Sequence, residues 1–194
     1  LLKPIPRWSG VSLPITSFGQ EVSVTALQLA CAYSAIANGG VLLEPRLFVE
    51  AVDQIGGRKT WETPTAIRRV ISEKTAARLR DILQGVVLRG TGKDALLDGW
   101  TVAGKTGTAQ KIDPRTRKYS ADKFVASFCG FVPAVKPRLT IVVVYDEPQG
   151  VSWGGYNAGP VFRNVAWHAM TYLGVSSDKE TRLARRKLRE VSPL

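Results

Sequence analysis

Apolar residues recur at helical spacing in three segments of the chain, and each segment begins with a residue suited to start a helix. Thr25 and Gln28 form the pattern of a capping box, in which the two side chains satisfy orphan backbone donors. Ser72 is a good N-cap for the second segment, and Pro160 suits the first turn of the third. The sequence therefore predicts helices at about 26–37, 73–88 and 160–173.

Extended segments that are rich in β-branched residues or bounded by turn residues are predicted at 46–52, 67–71, 100–106, 123–132 and 138–146. Residues 1–22 and 110–122 are predicted to be loops, and Gly56-Gly57 a turn. The run 139–145 is nearly all β-branched or apolar, which predicts a central strand. The last three strands have connections too short for crossover helices, so they should form an antiparallel meander. This pattern indicates an α+β fold.

Composition is that of a globular protein with a strongly basic charge balance. The chain has 194 residues, 27 basic and 16 acidic, with a net charge of +11, and is 44% hydrophobic. These values suit one domain and exclude a disordered or fibrous chain. No run of about 18 apolar residues could span a membrane. The chain starts without Met or a signal-peptide stretch, so we expect it to come from the middle of a longer protein.

Basic residues concentrate at 115–118 and in the C-terminal segment 182–189. We divide the chain into a folded part, 1–175, and a basic helix or tail, 176–194. Two interpretations of the tail stay open, a solvated helix or a segment attracted to anionic lipid or wall polymer. No aromatic residues are interleaved with its arginines, so the sequence gives no indication of a nucleic-acid partner.

Single residues limit the available chemistry. His168 is the only histidine and lies in an apolar helical segment, where a core or helix-surface position is predicted rather than a catalytic base. Cys31 and Cys129 are predicted to be buried free thiols, and neither a metal nor a cofactor is indicated. Packing roles are predicted for the five tryptophans, Trp8, Trp61, Trp100, Trp153 and Trp167.

One short segment satisfies two different motifs. Residues 99–106 match G-x-x-x-x-G-K-[ST], the phosphate-binding loop of nucleotide hydrolases, and the apolar run 142–145 ends in two acidic residues. However, the preceding segment 93–98 is charged and broken, and Gly107 disfavours the helix that such a loop needs after Lys105. A nucleotide hydrolase is therefore kept only as a remote alternative.

The second motif is K-T-G, formed by Lys105, Thr106 and Gly107 and followed by Thr108. On an edge strand, Lys105 and Gly107 would face one side while Thr106 and Thr108 face the other. The two hydroxyls can hold a carboxylate, the ammonium supplies positive charge nearby, and glycine lets a substrate backbone lie close to the strand. This pattern predicts an anion-binding strand edge.

The surroundings of K-T-G give the chain a family resemblance. It resembles the C-terminal half of the transpeptidase domain of class B penicillin-binding proteins. The matching stretches occur in the family's order at 18–30, 33–40, 90–93, 103–110, 126–133, 154–155 and 158–162. The resemblance implies a penicillin-binding, serine β-lactamase-like transpeptidase fold, with an antiparallel sheet flanked by helices, that is incomplete in this chain. The chain looks more similar to class B than to a carboxypeptidase or a class A bifunctional enzyme.

The resemblance also implies an activity and a set of site residues. A serine would attack the D-Ala-D-Ala bond of a peptidoglycan stem peptide, and the acyl-enzyme would be resolved by the amine of a second strand. β-Lactams would be trapped on the same serine. Lys105 would assist proton movement and hold substrate charge, while Thr106, Gly107 and Thr108 would bind substrate. The backbone N–H of Thr108 would form half of the oxyanion hole.

The family's nucleophile motifs are not found at the expected places. The family has S-x-x-K and S-x-N upstream of K-T-G, whereas this sequence contains no S-x-N, and its S-x-x-K strings, 120–123 and 176–179, both follow K-T-G in polar surroundings. We interpret both strings as accidental, because depressing the pKa of such a lysine needs apolar burial. The nucleophile is therefore unknown and is expected outside this chain. Alone, residues 1–194 are predicted to aggregate or remain molten and to form no covalent penicillin adduct.

Three alternatives follow from these observations. The first is part of a cell-wall transpeptidase, the second a non-catalytic penicillin-binding sensor or scaffold, and the third the nucleotide hydrolase. For the first, the resemblance implies an extracytoplasmic location with an anchor outside this chain. Its partners would be stem peptides, β-lactams, the N-terminal half of the same domain and other cell-wall synthesis proteins.

Overall fold

A computed structural model describes residues 4–17, 19, 22–47, 50–60 and 64–179. Its helices are α1 Ser12–Ser17, α2 Ala26–Ala37, α3 Glu73–Arg89 and α4 Gly154–Tyr172. Its strands are β1 Val41–Leu43, β2 Glu50–Val52, β3 Arg58–Thr60, β4 Ala66–Arg69, β5 Ala103–Ile112, β6 Tyr119–Val132 and β7 Leu139–Asp146. Among the described residues, no helix combines the length and apolar character needed to cross a bilayer.

The main sheet has three antiparallel strands in the order β5-β6-β7, which confirms the predicted meander. The prediction that the segment at 139–145 is central is wrong for the described strands, because β6 lies in the middle and β7 at one edge. An apolar, β-branched composition indicates that the faces of a strand are covered, not that both of its edges are paired. Helices cover β7 even though it lies at an edge. The K-T-G strand, β5, forms the other edge.

Helices cover both faces of this sheet. On one face, Phe128 of β6 packs edge-to-face against Phe162 of α4, with ring centroids 4.7 Å apart, and Met170 and Val87 complete a fully buried cluster. On the other face, Phe131 packs against residues of α2 and α3. Because side chains alternate along a strand, the β6 sequence serves both cores at once. Burial of each large side chain contributes about 1.5–3 kcal/mol.

The capping chemistry of α2 and α3 agrees with the sequence. The N–H of Gln28 donates to Thr25 Oγ1, and the N–H of Thr25 donates to Gln28 Oε1, at 3.1 and 2.9 Å. The N–H of Thr75 donates to Ser72 Oγ at 3.1 Å. Both helices therefore begin where local side-chain chemistry predicts.

The N-terminal segment is more ordered than the predicted loop. A 3₁₀ turn covers Ile5–Arg7, and α1 follows. The N–H of Ser9 donates to Ser12 Oγ at 3.0 Å, and Ser12 is buried. A short helix tolerates Pro14 because it lies within the first turn, where backbone N–H groups lack helical partners.

Two small sheets replace the two strands predicted between α2 and α3. The strand predicted at 46–52 contains β2, which pairs with β3 around the predicted glycine turn. The strand predicted at 67–71 overlaps β4, which pairs with β1. Strands β1 and β3 were not predicted, because three residues are too few to show alternation. Residues 48–49 and 61–63, including Trp61, lie outside the described residues.

An apolar groove of about 590 Å³ lies among α2, α3, β1 and β4. It is lined by side chains that include Leu27, Cys31, Ala35, Leu42, Ile67 and Leu79. Cys31 is half-buried there, which differs from the predicted full burial, while Cys129 on β6 is buried as predicted and both thiols are free. Burial raises the pKa of Cys129 to about 12.

The predicted loop at 110–122 is largely strand. β5 continues to Ile112 and β6 begins at Tyr119, which pair directly, so the connection covers only 113–118. The N–H of Arg115 donates to Asp113 Oδ1 at 2.7 Å, which closes a tight turn. Polar composition indicated a loop here, but cross-strand pairing extends both strands beyond the apolar positions.

Helix α4 begins six residues earlier than predicted. Pro160 lies inside the helix and not in its first turn, and Gly154 is the first helical residue. His168 lies on the exposed surface of this helix, where Nδ1 is 2.9 Å from the carbonyl oxygen of Asn164, which confirms one of its two predicted positions.

The chain after α4 returns to the start of β5. Asp178 accepts hydrogen bonds from the N–H and the hydroxyl of Thr101, and Lys179 Nζ donates to the carbonyl oxygen of Leu97. Residues 176–179 therefore pack against the segment 97–101. The basic cluster 182–189 lies outside the described residues, so the two interpretations of the tail stay open.

Candidate active site

Strand β5 places the K-T-G motif and the following Thr108 in consecutive positions along an edge of the main sheet. Thr106 and Thr108 stand opposite Phe128 and Ala126 of β6, on the face covered by α4. At Gly104, which precedes the motif, an added Cβ would meet the Phe128 ring at 2.6 Å. The glycine therefore allows β5 to lie directly over the aromatic core, and the motif rests on a rigid base.

Two polar groups, the Lys105 ammonium and the Thr91 hydroxyl, contact the hydroxyl of Thr106. Lys105 Nζ is 2.9 Å from the carbonyl oxygen of Thr106 and 3.2 Å from its Oγ1. Thr91 Oγ1 lies 2.8 Å from Thr106 Oγ1. Although Lys105 leaves the strand on the opposite side, its ammonium curls around the open edge of β5 to reach Thr106. This geometry concentrates positive charge and hydroxyl donors at one point of the strand edge.

The hydroxyl of Thr108 is held by the first residue of α4. The N–H of Gly154 donates to Thr108 Oγ1 at 3.0 Å. An added Cβ at Gly154 would lie 2.2 Å from the carbonyl oxygen of Gly107, and one at Gly155 would lie 2.6 Å from that of Thr91. Glycine at both positions therefore allows the positive end of the helix to approach β5, where it adds to the attraction for an anion.

A cavity of about 430 Å³ lies between β5, the start of α4 and the segment after α3; we call it the K-T-G cavity. Its lining consists of Gly90, Thr91, Lys93, Asp94, Thr106, Thr108, Trp153, Gly154, Gly155 and Tyr156. Thr106 and Thr108 are the predicted site residues that line this cavity, while Lys105 reaches it through its contact with Thr106.

Eight of the ten lining residues were not predicted as site residues, and Thr91, Trp153 and Tyr156 are among them. Thr91 belongs to the Gly90-Thr91-Gly92 segment, whose glycines predict the end of a helix and which lies in one of the stretches that resemble the family. Trp153 and Tyr156 are 74% and 65% exposed, so the predicted packing role is wrong for Trp153. Trp167 is also exposed, whereas Trp100 packs against the core as predicted. The feature of the sequence that could have indicated Trp153 and Tyr156 as site residues is their position on either side of the pair Gly154-Gly155.

The phosphate-loop interpretation is wrong. Lys105 lies within β5 and not at the start of a helix, and no helix lies between Lys105 and β6. A phosphate loop needs helical N–H groups directed at the phosphates immediately after the lysine. Among the described residues, no group of three or more His, Cys, Asp or Glu side chains is arranged to hold a metal ion.

The sequence profile of the penicillin binding protein transpeptidase domain matches residues 3–166 of this chain. The chain belongs to this family. It is 39% identical over 181 residues to stage V sporulation protein D of Bacillus subtilis, and 35% identical over 181 residues to the probable peptidoglycan D,D-transpeptidase PenA of Neisseria gonorrhoeae. These matches cover 92% of this chain but only 28% and 29% of the two relatives.

Solved structures of the family agree with the fold. The chain superimposes on penicillin binding protein 3 of Mycobacterium tuberculosis in complex with ampicillin with a TM-score of 0.82 and 38% identity. The match covers 91% of this chain and 41% of that one. The predicted fold class, a penicillin-binding transpeptidase fold represented in part, is confirmed.

The two S-x-x-K strings of this family member lie away from the K-T-G cavity. Ser120 Oγ donates to Asp122 Oδ1 at 2.6 Å at the start of β6, and this hydrogen bond holds the pKa of that carboxyl below its usual value. In the other string, the carbonyl oxygen of Ser176 accepts a hydrogen bond from Trp100 Nε1, and Lys179 Nζ donates to the carbonyl oxygen of Leu97. Both strings are thus engaged in local structure, as expected for accidental matches.

A cluster of charged side chains, Lys111, Lys123, Asp146 and Glu147, lies at the far end of β5. Lys111 Nζ is 2.7 Å from Glu147 Oε1 and 2.9 Å from Asp146 Oδ1, and Lys123 Nζ is 3.4 Å from Glu147 Oε2. The hydrogen bond from Lys111 lowers the pKa of Glu147, and the same bond raises the pKa of Lys111. The cluster fixes Glu147, which has a φ of 50°, at the start of the loop that leads to Trp153 and α4.

Proposed function

We propose that this chain supplies the K-T-G side of the active site of a serine-type peptidoglycan D,D-transpeptidase. The observation that carries the proposal is the meeting of Lys105, Thr106, Thr108 and the first turn of α4 around one cavity. Such a combination of a cation, two hydroxyls and a helix N-terminus favours a carboxylate. A stem peptide that ends in D-Ala-D-Ala and a penicillin each carry such a carboxylate.

In the proposed reaction, a serine oxygen attacks the carbonyl carbon of the penultimate D-Ala and forms an ester bond. The peptide bond breaks, and the terminal D-Ala leaves with the proton on its amine. The amine of a second stem peptide then attacks the ester, forms the cross-link and releases the serine. A β-lactam acylates the same serine as its ring opens. Because the amine released by ring opening stays covalently attached, no leaving group departs, and the second amine has no room to attack the ester.

Each K-T-G residue has a proposed role in this reaction. Lys105 holds the negative charge of the substrate and assists proton movement, and Thr106 and Thr108 bind the carboxylate. The backbone N–H of Thr108 is proposed as one donor of the oxyanion hole. Gly107 gives the substrate backbone access to β5. The edge position of β5 supports these roles, because alternate backbone groups of an edge strand face away from the sheet.

We further propose that the attacking serine comes from polypeptide outside these 194 residues. This sequence has no S-x-N motif, and its two S-x-x-K strings are engaged elsewhere. Among the described strands, β7 pairs only with β6, which leaves an edge for strands of the same domain.

The proposed substrates imply that the reaction takes place on the extracytoplasmic face of the cell membrane, alongside other cell-wall synthesis proteins.

Labelling of the full-length protein by a fluorescent penicillin tests the proposal. We expect wild-type protein to form a covalent adduct, and Lys105→Ala to lower the acylation rate constant about 100-fold or more, because a preorganised charge is lost. Lys136→Ala is a matched control, since Lys136 is exposed in the turn between β6 and β7. Unchanged labelling of Lys105→Ala would remove Lys105 from the mechanism.

A second assay separates an enzyme from a non-catalytic sensor. The full-length protein should release D-Ala from a stem pentapeptide when an acceptor amine is present. Penicillin labelling without this release would support the sensor and contradict the transpeptidase.

A further inference from the structure

The Thr91 hydroxyl contacts the K-T-G motif from the segment between α3 and β5. It lies 2.8 Å from Thr106 Oγ1, within the same cavity. We propose that Thr91 is a positioning residue that turns the Thr106 hydroxyl into a donor aimed at the substrate carboxylate. The inference rests on the proposed function, which supplies that carboxylate.

The direction of the hydrogen bonds at Thr106 follows from counting its donors and acceptors. A threonine hydroxyl has one proton and two lone pairs. Lys105 Nζ carries only donors, so its contact at 3.2 Å occupies one lone pair of Thr106 Oγ1. If Thr91 donates to the other lone pair, both lone pairs of Thr106 Oγ1 are occupied. The single proton of Thr106 then has to find an acceptor elsewhere, and a substrate carboxylate bound in the cavity is such an acceptor. An anion in the cavity selects this arrangement, because it accepts the proton of Thr106.

The backbone around Thr91 is fixed well enough to act as a positioning device. The N–H groups of Gly90 and Gly92 both donate to the carbonyl oxygen of Val86, at 2.9 and 3.1 Å. An added Cβ at Gly92 would lie 3.3 Å from the Phe128 ring, and the carbonyl oxygen of Thr91 lies against Gly155 of α4. The Thr91 hydroxyl is therefore held by the end of α3, the core and the start of α4, so little ordering is needed when substrate binds.

The charges around this pair favour an anionic ligand. Lys105 and Lys93 contribute positive charge, and the N-terminus of α4 adds to it, against one carboxylate from Asp94. A hydroxyl fixed as a donor is worth more to a carboxylate than to a neutral ester, because charge strengthens the hydrogen bond. The role assigned to Thr91 therefore predicts that its effect depends on the charge of the ligand.

The test measures acylation of the full-length protein by benzylpenicillin and by its carboxylate methyl ester. Thr91→Val keeps the shape of the side chain and removes the hydroxyl, whereas Thr91→Ser keeps the hydroxyl. We expect Thr91→Val to lower the second-order acylation rate constant for benzylpenicillin roughly three- to tenfold, the loss of one hydrogen bond. Thr91→Ser should restore the rate to within about twofold of wild type, and the slow reaction with the ester should be the same in all three proteins.

A matched control comes from a second hydroxyl pair in the same fold. Ser34 Oγ donates to Thr140 Oγ1 at 3.0 Å between α2 and β7, and Thr140 does not line the K-T-G cavity. Thr140→Val should therefore leave both acylation rates unchanged. Thermal unfolding of all variants shows whether each remains folded.

The outcomes separate the inference from the proposed function. A folded Thr91→Val that is acylated by benzylpenicillin as fast as wild type overturns the inference alone. An equal loss with benzylpenicillin and with its ester also overturns it, since a purely structural role would give that result. A wild-type protein that forms no adduct with either compound overturns the proposed function, and the inference with it.

Discussion

The K-T-G cavity and the apolar groove, of about 430 and 590 Å³, differ in the polar groups that they contain. Beside the rings of Trp153 and Tyr156, the cavity holds the hydroxyls of Thr106 and Thr108, which are hydrogen-bonded to Thr91 and to the first N–H of α4. The groove is lined almost entirely by apolar side chains from two helices and a small two-stranded sheet. Preorganised polar groups can stabilise the charges that develop in a reaction, whereas an open apolar lining can stabilise a ligand only by removing apolar surface from water. The comparison supports the site proposed at the edge of the main sheet.

The largest expected effect contrasts the two cysteines, one in the groove and one on the central strand of the main sheet. Cys31 lines the open groove, whereas Cys129 is buried and its pKa is raised to about 12. At pH 8 the thiolate of Cys129 is scarce, so iodoacetamide should modify Cys31 about a thousandfold faster or more. Peptide mapping by mass spectrometry gives the two rates, with Cys31→Ser and Cys129→Ser as reciprocal controls. Equal rates would show that the sheet face is as open as the groove.

A smaller effect is expected when the cavity is distorted at its helix. Gly154→Ala places a Cβ 2.2 Å from the carbonyl oxygen of Gly107, so α4 has to move away from β5. We expect the free energy of unfolding to fall by about 1–3 kcal/mol and penicillin labelling to slow about tenfold. Gly10→Ala is the control, since no atom lies within 4 Å of its added Cβ. A Gly154→Ala protein with wild-type stability and labelling would contradict the close approach.

The smallest effect concerns the charged cluster at the far end of β5. Glu147→Gln removes a carboxylate that accepts from Lys111, and we expect a small fall in Tm that disappears in 1 M salt because the pair is partly exposed. The folded pKa of Glu147 is lowered from 4.5, so its stabilising effect is present above that pH and is lost as the pH falls through the folded pKa. The Tm difference between wild type and variant should therefore vanish in acid. A difference that grows on acidification would contradict the ion pair.

The sequence predicted best what is decided within a few residues. The caps at Thr25 and Ser72 depend on side chains three positions away, so the starts of α2 and α3 were correct. The antiparallel meander followed from connection lengths alone. Likewise, the K-T-G strand was recognised because Lys105, Thr106 and Thr108 are consecutive in the chain.

What the sequence missed is decided by contacts between distant residues. The length of β5 depends on pairing with β6, and the early start of α4 depends on glycines that fit against β5. The central position of β6 depends on the order of strands in space, which the composition of β7 does not encode. Thr91 escaped notice for the same reason, because its partner Thr106 is fifteen residues away and belongs to another element.

Under the proposed function, the paired glycines at the start of α4 limit which substitutions beside the K-T-G cavity the protein can accept. Any larger residue at 154 or 155 collides with backbone carbonyl oxygens, which have no alternative rotamer to adopt. Trp153 and Tyr156, in contrast, project into solvent beside the same cavity and can be exchanged without moving the main chain. Under the proposed function, we therefore expect substitutions that change the rate of β-lactam acylation at this helix to occur at those two aromatic positions, while the glycines between them stay invariant.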